Sequence, residues 1–199
     1  MPQPGQLVVF SGPSGVGKTT LLKEVFLRAR QPLVMSVSAT TRSPRAGERD
    51  GEHYFFLTGD EFARRRERGE FLECSEVFGR GHWYGTLQSE VAPRLAAGKW
   101  VVLEIDVDGA QQVLAKYPDA LTIFINPESP EILEQRLRGR GTESEEAVAR
   151  RLEVARRELA RAASYRFRVL NDQVDRAADE ICRFLDEQTC VRPQGELKT

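Results

Sequence analysis

The stretch Leu7-Val-Val-Phe-Ser-Gly12-Pro-Ser-Gly-Val-Gly-Lys18-Thr19 decides the fold of this chain, because a glycine-rich turn directly follows an apolar run. The run over Gln6–Phe10 is typical of a buried strand, and apolar side chains at helical spacing follow the turn. Residues 12–19 match the pattern G-x-x-x-x-G-K-(S/T), the P-loop, in the strand–turn–helix context that this pattern requires. The alternative is a glycine-rich connection that binds nothing.

A P-loop binds nucleotide phosphates for physical reasons. Its glycines let backbone amides turn inward around a phosphate, and the following helix adds a partial positive charge at its N-terminus. Lys18 can reach the β- and γ-phosphates, and the Thr19 hydroxyl can coordinate Mg²⁺ directly. GTPases, motors and small-molecule kinases share this loop, so it does not specify the reaction. We predict an ATP-phosphate site formed by Gly12, Pro13, Ser14, Gly15, Val16, Gly17, Lys18 and Thr19.

Apolar runs alternate with helical patterns along the chain, which predicts an α/β fold with a mostly parallel sheet flanked by helices. Further strands are predicted over Leu33–Ser36, Trp100–Val107, Leu121–Ile125 and Phe167–Leu170. Two segments interrupt this alternation, one with an aromatic strand and a capped helix and one with two arginine-rich helices. We predict a P-loop core over residues 1–39, 87–130 and 162–199, an inserted lobe over residues 40–86 and a helical lid over residues 131–161.

Composition limits the classes of function. The 199 residues are 40% hydrophobic and 30% charged, with a net charge of -1, so bulk charge does not favour a nucleic acid or membrane partner. Cys74, Cys182 and Cys190 lack metal-ligand spacing and are expected to be free thiols in a reducing compartment. The start of the chain lacks a signal-peptide pattern, and no run approaches the about 18 apolar residues of a membrane helix. We expect a cytoplasmic protein and leave its oligomeric state open.

Residues 36–56 read Ser36-Val-Ser-Ala-Thr-Thr-Arg42-Ser-Pro-Arg45-Ala-Gly-Glu-Arg-Asp-Gly-Glu-His-Tyr54-Phe-Phe and closely resemble the guanylate kinase signature. Further pieces follow in the order of that family: Phe71-Leu-Glu73, Tyr84-Gly-Thr86, and Arg140-Gly-Thr-Glu-Ser-Glu-Glu with Arg151 after it. The resemblance covers about residues 5–188. It implies a three-part enzyme that transfers the γ-phosphoryl group of ATP to GMP with Mg²⁺, in which residues 40–86 bind GMP; the use of dGMP stays open.

The resemblance also implies a site for the GMP phosphate. Arg42 and Arg45 flank Pro44, and two guanidiniums on a stiff loop can hold a phosphate bidentately. An arginine pair can equally be a solvated surface feature, and tyrosines can be core aromatics. In the family, the residues that surround the GMP phosphate match Ser38, Arg42, Arg45, Tyr54 and Tyr84.

Glu73 lies in an otherwise apolar run and is either an outward-facing strand residue or a ligand. Guanine presents two adjacent donors, N1–H and the 2-amino group, which one carboxylate can accept together. Adenine lacks that pair, so a buried carboxylate would be left unpaired with the wrong base. The residue that matches Thr86 donates to guanine O6 in the family.

Charged residues near the transferring phosphates complete the expected site. Arg136, Arg140 and Arg151 match the family's arginines that approach these phosphates, and with Lys18 and Arg42 they form the predicted catalytic set. The attacking oxygen of GMP is already ionised, so catalysis needs positioning and charge neutralisation rather than a general base.

The segment Glu104-Ile-Asp106 departs from the Asp-x-Asp that relatives usually carry. Strand alternation predicts that both acids share one face and point to the cleft. Unpaired charges there would be costly, so both are expected to have cationic partners. For Glu104 we predict Mg²⁺, held through water, and for Asp106 arginines or the GMP side of the cleft.

Three other functions share parts of this pattern and are disfavoured by the sequence. Guanylate-kinase-like binding modules typically lose P-loop or arginine residues, whereas this chain keeps Lys18, Thr19, Arg140 and Arg151. A GTPase switch would need a guanine-reading N-K-x-D motif, which the sequence lacks. A kinase for another nucleoside monophosphate is disfavoured by the Glu73 and Thr86 pattern.

Overall fold

A computed structural model describes residues 5–76, 81–138 and 145–190. The strands, in chain order, are β1 (Leu7–Ser11), β2 (Leu33–Met35), β3 (Ser38–Thr40), β4 (Phe55–Phe56), β5 (Phe71–Glu76), β6 (Trp83–Leu87), β7 (Trp100–Glu104), β8 (Leu121–Pro127) and β9 (Phe167–Asn171). The helices are α1 (Lys18–Arg28), α2 (Gly59–Glu67), α3 (Gln88–Ala96), α4 (Val107–Lys116), α5 (Pro130–Arg138), α6 (Glu145–Ala160) and α7 (Val174–Cys190).

The central sheet contains five parallel strands in the order β2-β7-β1-β8-β9. Strand β1 lies in the middle and is buried along its whole length, which explains its unbroken apolar run. The carboxyl ends of parallel strands meet at one edge, so the P-loop after β1 lies beside the end of β7. The predicted α/β fold is confirmed.

Helices cover both faces of this sheet. On one face Leu22 and Val25 of α1 pack with Ile181 and Leu185 of α7, and on the other Val113 of α4 packs against the sheet. The apolar side chains of α7 that recur at helical spacing therefore lie in the core. In the described part of the chain, no helix is long and apolar enough to span a membrane. Cys74 and Cys182 are free thiols. The side chain of Cys190 is not among those that the structure describes.

The inserted lobe is built on a second sheet with the strand order β4-β3-β6-β5. It has its own small core, in which Phe62 stacks on Phe71 beside Ala39 and Leu87. Helix α2 begins after Thr58, whose hydroxyl accepts a hydrogen bond from the Glu61 amide, as the capping pattern predicts. This separate core supports the prediction of an inserted lobe. The bounds of the lobe, residues 40–86, stay a prediction.

The prediction that a strand runs to Val107 is wrong. Strand β7 ends at Glu104, and Asp106 caps α4, with its carboxylate 2.7 Å from the Gly109 amide that it accepts from. A cap satisfies an amide that the first helical turn leaves unpaired. Glu104 and Asp106 are therefore not alternating residues of one strand, and the inference that they share a strand face fails.

Candidate active site

The P-loop connects β1 to α1 and approaches its neighbours too closely for side chains. Gly17 has a φ of 95°, and a Cβ there would lie 2.8 Å from Asn171 Nδ2. A Cβ on Gly12 would lie 2.5 Å from the Ile125 carbonyl oxygen. Glycine is therefore required at both ends of the loop.

Lys18, the first residue of α1, folds back over this loop. Its Nζ donates to the carbonyl oxygens of Gly12, at 2.6 Å, and of Pro13, at 3.2 Å. The ammonium group is thus held against the loop that the sequence predicts to surround a phosphate.

A hydroxyl and a carboxylate converge beside the loop. Thr19 Oγ1 donates to Glu104 Oε1 at 3.3 Å, because β1 and β7 are adjacent and Phe10 pairs with Glu104. Mg²⁺ prefers such hard oxygen ligands and usually keeps several waters and phosphate oxygens in its shell. The donor set fits the Mg²⁺ that the sequence predicts at Thr19 and Glu104.

Glu73 is buried in the lobe, with 4% of its surface exposed. Its Oε1 accepts a hydrogen bond of 2.7 Å from Thr86 Oγ1, because β5 pairs with β6 at these residues. Burial raises the pKa of the Glu73 carboxyl to about 7; the hydrogen bond from Thr86 opposes this rise, and the charge of Asp106 adds to it. The structure thus brings together the two residues predicted to read the base.

Asp106 joins the core to the lobe. Its Oδ2 accepts from Ser75 Oγ at 2.8 Å, while Oδ1 serves as the cap of α4 at Gly109. Among the described residues, the donors to this carboxylate are thus a hydroxyl and an amide. Of the two alternatives predicted for Asp106, arginines or the GMP side of the cleft, these contacts favour the second, because Ser75 lies in the predicted GMP-binding lobe.

Two of the predicted GMP-phosphate residues, Tyr54 and Tyr84, lie beside a third, Arg42. Its Nε donates to the Tyr84 hydroxyl at 3.3 Å, and its guanidinium carbon lies 5.5 Å from the centre of the Tyr54 ring. Ser38 on β3 pairs with Thr86 on β6, one of the two residues predicted to read the base. Arg45 is exposed on the loop that follows Arg42.

Sequence reasoning missed Glu48. Its carboxylate accepts two hydrogen bonds of 2.9 Å from the Arg42 guanidinium and one of 2.7 Å from the Arg45 amide. The Arg42 guanidinium holds the pKa of Glu48 at about 2, and the Arg45 amide adds to this. Glu48 therefore orients the loop that carries both arginines. Its spacing of three residues from Arg45 is the only sequence signal for this contact.

Helices α5 and α6, which lie in the predicted lid, contact the P-loop through arginines. Arg136 of α5 donates to the Val16 carbonyl oxygen at 3.3 Å, and Arg151 of α6 donates to Ser14 Oγ at 2.5 Å. Arg151 is buried. Arg140, the remaining predicted catalytic arginine, lies outside the described residues.

Glu158 of α6 was also missed. It is buried and accepts a hydrogen bond from the Ser14 amide. Burial raises its pKa to about 7, and the charge of Lys18 opposes the rise. Glu158 lies seven residues after Arg151 and so shares its helix face, which is the signal that could have indicated it.

A cleft of about 250 Å³ lies on the outer side of the P-loop. It is bounded by Gly15 and Gly17 of the loop, by Arg136, and by Asn171 and Asp172 at the end of β9. Asn171 donates to the Val16 carbonyl oxygen at 2.8 Å. Of these residues, the sequence predicted Gly15 and Gly17 for the ATP-phosphate site and Arg136 for the catalytic set, whereas Asn171 and Asp172 were missed.

Known proteins resemble this chain along most of its length. Residues 4–188 match the guanylate kinase family. A guanylate kinase of Rhodopirellula baltica is 57% identical over 143 residues, which cover 71% of this chain and 68% of that protein. One from Thermobifida fusca is 54% identical over 143 residues, 71% of each chain. The crystal structure of guanylate kinase from Anaplasma phagocytophilum has a TM-score of 0.73 and 30% identity, covering 93% of this chain and 86% of that one.

Proposed function

The chain belongs to the guanylate kinase family and transfers the γ-phosphoryl group of ATP to GMP. From that premise we propose which residues bind ATP, which bind GMP and which act in the transfer. The observation that carries the proposal is the segment between β7 and α4. Glu104 contacts Thr19 of the P-loop, while Asp106, two residues later, contacts Ser75 of the lobe. The ATP and GMP sites therefore meet at one short segment, where in-line transfer requires them to meet.

On the ATP side, we assign the phosphates to the backbone amides of residues 12–19 and to Lys18. Asn171 and Arg136 border the cleft next to this loop, which suits the nucleoside part of ATP. Thr19 would hold Mg²⁺ directly and Glu104 would hold it through water. Bound there, Mg²⁺ supplies charge neutralisation and alignment of the phosphates.

On the GMP side, the base is assigned to the lobe. The Glu73 carboxylate would accept from guanine N1–H and the 2-amino group, and the Thr86 hydroxyl, now donating to Glu73, would turn to guanine O6. Asp106 lies close enough for its charge to raise the pKa of Glu73, which supports its assignment to the GMP side of the cleft. The GMP phosphate is assigned to five residues: Ser38, Arg42, Arg45, Tyr54 and Tyr84.

In the transfer itself, an ionised oxygen of the GMP phosphate attacks the γ-phosphorus of ATP. The bond from that phosphorus to the oxygen shared with the β-phosphate breaks, and GDP and ADP result. Lys18, Arg136, Arg140 and Arg151 would neutralise the charge that spreads over the transferred group. Burial of Arg151 against Ser14 supports a lid that also keeps water from the reaction.

The three-part division remains our proposal: a core of residues 1–39, 87–130 and 162–199, a GMP lobe of residues 40–86 and a lid of residues 131–161. Separate apolar clusters support it. Ala39, Phe62, Phe71 and Leu87 form one in the lobe, and Leu133, Leu137 and Ala155 form another between α5 and α6.

An assay of ADP release with GMP, dGMP, AMP, CMP and UMP tests the assignment of the base. Glu73→Gln is expected to raise the GMP KM and to narrow the preference for GMP over AMP, because a hydrogen bond to a charged acceptor contributes about 1.5–3 kcal/mol. An unchanged ratio of kcat/KM for GMP and AMP would show that Glu73 does not read the base.

The pH dependence gives a second readout of Glu73. Its pKa is about 7 because the carboxyl is buried. Only the ionised form accepts from both guanine donors, so the GMP KM should rise as the pH falls from about 8 to about 6. The GMP phosphate titrates with a second pKa of about 6 in any variant, so Glu73→Gln is the control. Identical pH profiles for the two proteins would contradict this assignment.

The proposed metal site makes a separate prediction. Glu104→Asp should retain activity within about tenfold, since a water in the Mg²⁺ shell can absorb a change of one methylene. Glu104→Gln keeps an acceptor for Thr19 but removes the charge, and should weaken Mg²⁺-dependent turnover clearly more. A Mg²⁺ titration of kcat measures this. Equal Mg²⁺ dependence of Glu104→Gln and the unaltered enzyme would remove Glu104 from the metal site.

A further inference from the structure

Helix α4 holds strand β5 on both sides of Glu73. The Gln112 side chain accepts from the Cys74 amide at 3.1 Å and donates to the Cys74 carbonyl oxygen at 3.0 Å. Lys116 Nζ donates to the carbonyl oxygens of Leu72, at 2.7 Å, and Phe71, at 3.2 Å. One rigid helix therefore fixes the backbone that carries the Glu73 side chain.

The same helix leaves a gap opposite the Glu73 carboxylate. A Cβ on Gly109 would lie 2.7 Å from Glu73 Oε2 and 3.3 Å from both Glu73 Cδ and Asp106 Oδ1. Gly109 is buried in the first turn of α4, and glycine is a poorer helix former than alanine. Its backbone does not need glycine, because it is not among the residues with positive φ. The reason for glycine here is therefore space for the carboxylate.

We propose that Gly109 is a specificity-determining residue, which seats the Glu73 carboxylate against α4 and thereby sets the preference for guanine. This inference rests on the proposed role of Glu73. Thr86 holds Oε1 by a hydrogen bond. The missing side chain of Gly109 leaves the space in which Oε2 lies against α4. With both oxygens placed, the plane of the carboxylate is aligned before GMP arrives, and two parallel contacts depend strongly on such alignment.

Gly109→Ala is the direct test. The clash falls on the tip of a flexible side chain, so the fold should accept alanine while the carboxylate is displaced. We expect the GMP KM to rise and the GMP/AMP ratio of kcat/KM to fall on the order of tenfold, from partial loss of a charge-assisted contact. The ATP KM should be unchanged, and Tm unchanged or higher, because alanine is the better helix former.

Gly59→Ala is the matched control. Gly59 begins α2 in the lobe that carries Glu73, and a Cβ there would meet nothing within 4 Å, so the GMP KM should not change. Gln112→Met provides a second probe that loosens β5 without entering the gap, with its exposed neighbour Gln111→Met as control. If Gly109→Ala folds poorly, the test is the GMP/AMP ratio of kcat/KM for Gln112→Met. A fall in this ratio that is absent in Gln111→Met would support the proposal.

Combination with Glu73→Gln separates the possible failures. A loss of selectivity from Gly109→Ala that disappears in the Glu73→Gln background supports the proposal. If Glu73→Gln changes the GMP/AMP ratio and neither Gly109→Ala nor Gln112→Met does, the proposal is overturned and the role of Glu73 stands. If Glu73→Gln also has no effect, the proposed function of Glu73 fails first. Equal losses toward ATP and GMP, with a lower Tm, would make Gly109 structural only.

Discussion

Lys18→Ala is expected to lower kcat by about 100-fold or more, the scale for losing one well-placed electrostatic group. The Lys18 ammonium already lies against the P-loop, 2.6 Å from the Gly12 carbonyl oxygen. When ATP binds, Lys18 would exchange these carbonyl contacts for contacts with the β- and γ-phosphates. Its positive charge would then lie where negative charge develops during phosphoryl transfer. Single-turnover kinetics, with enzyme in excess over ATP and GMP saturating, measure this step without product release.

Lys23→Ala is the matched control, because Lys23 lies on the same helix and is exposed. It should have near-normal kcat. Near-normal kcat for Lys18→Ala as well would remove Lys18 from the phosphate site and with it the assignment of the loop.

Arg151→Ala is expected to reduce kcat on the order of 100-fold while changing the GMP KM much less. Arg151 reaches the P-loop at Ser14, on the ATP side of the site. We therefore expect its charge to act on the transferring phosphoryl group rather than on the bound base. The ratio of the two effects is therefore the informative measurement.

Arg150→Ala serves as the control, since this neighbour on α6 is exposed. Arg151 is buried, and Glu158 contacts the same P-loop residue, Ser14. The Tm of Arg151→Ala should therefore be compared with that of the unaltered enzyme, to separate lost catalysis from lost stability. An Arg151→Ala enzyme with normal kcat and only a raised GMP KM would place this arginine on the other substrate.

The local chemistry of the chain determined much of the fold. The unbroken apolar run before Gly12 indicated a buried parallel strand, which β1 is. The Thr58 cap was predictable because its donor, the Glu61 amide, lies three residues away. Such features depend on neighbours along the chain, so the sequence alone contains the information. Family resemblance then supplied residue roles, which stay predictions until tested.

The end of β7 shows where local pattern misleads. An apolar run followed by Glu104 and Asp106 fits a continuing strand, yet Asp106 leaves the strand to cap α4. Both conformations suit the residue types. The choice depends on whether α4 can pack against β5, which is a contact between distant segments.

What the sequence by itself determined is therefore the α/β core, the P-loop and the residue types around the phosphates. Only the tertiary structure decided that Glu48 holds Arg42, that Glu158 meets Ser14, and that Gly109 gives space to Glu73. Periodicity and caps are set within a few residues, whereas the last two contacts join elements far apart in the chain. Which side chains meet there follows from how the helices pack on the two sheets.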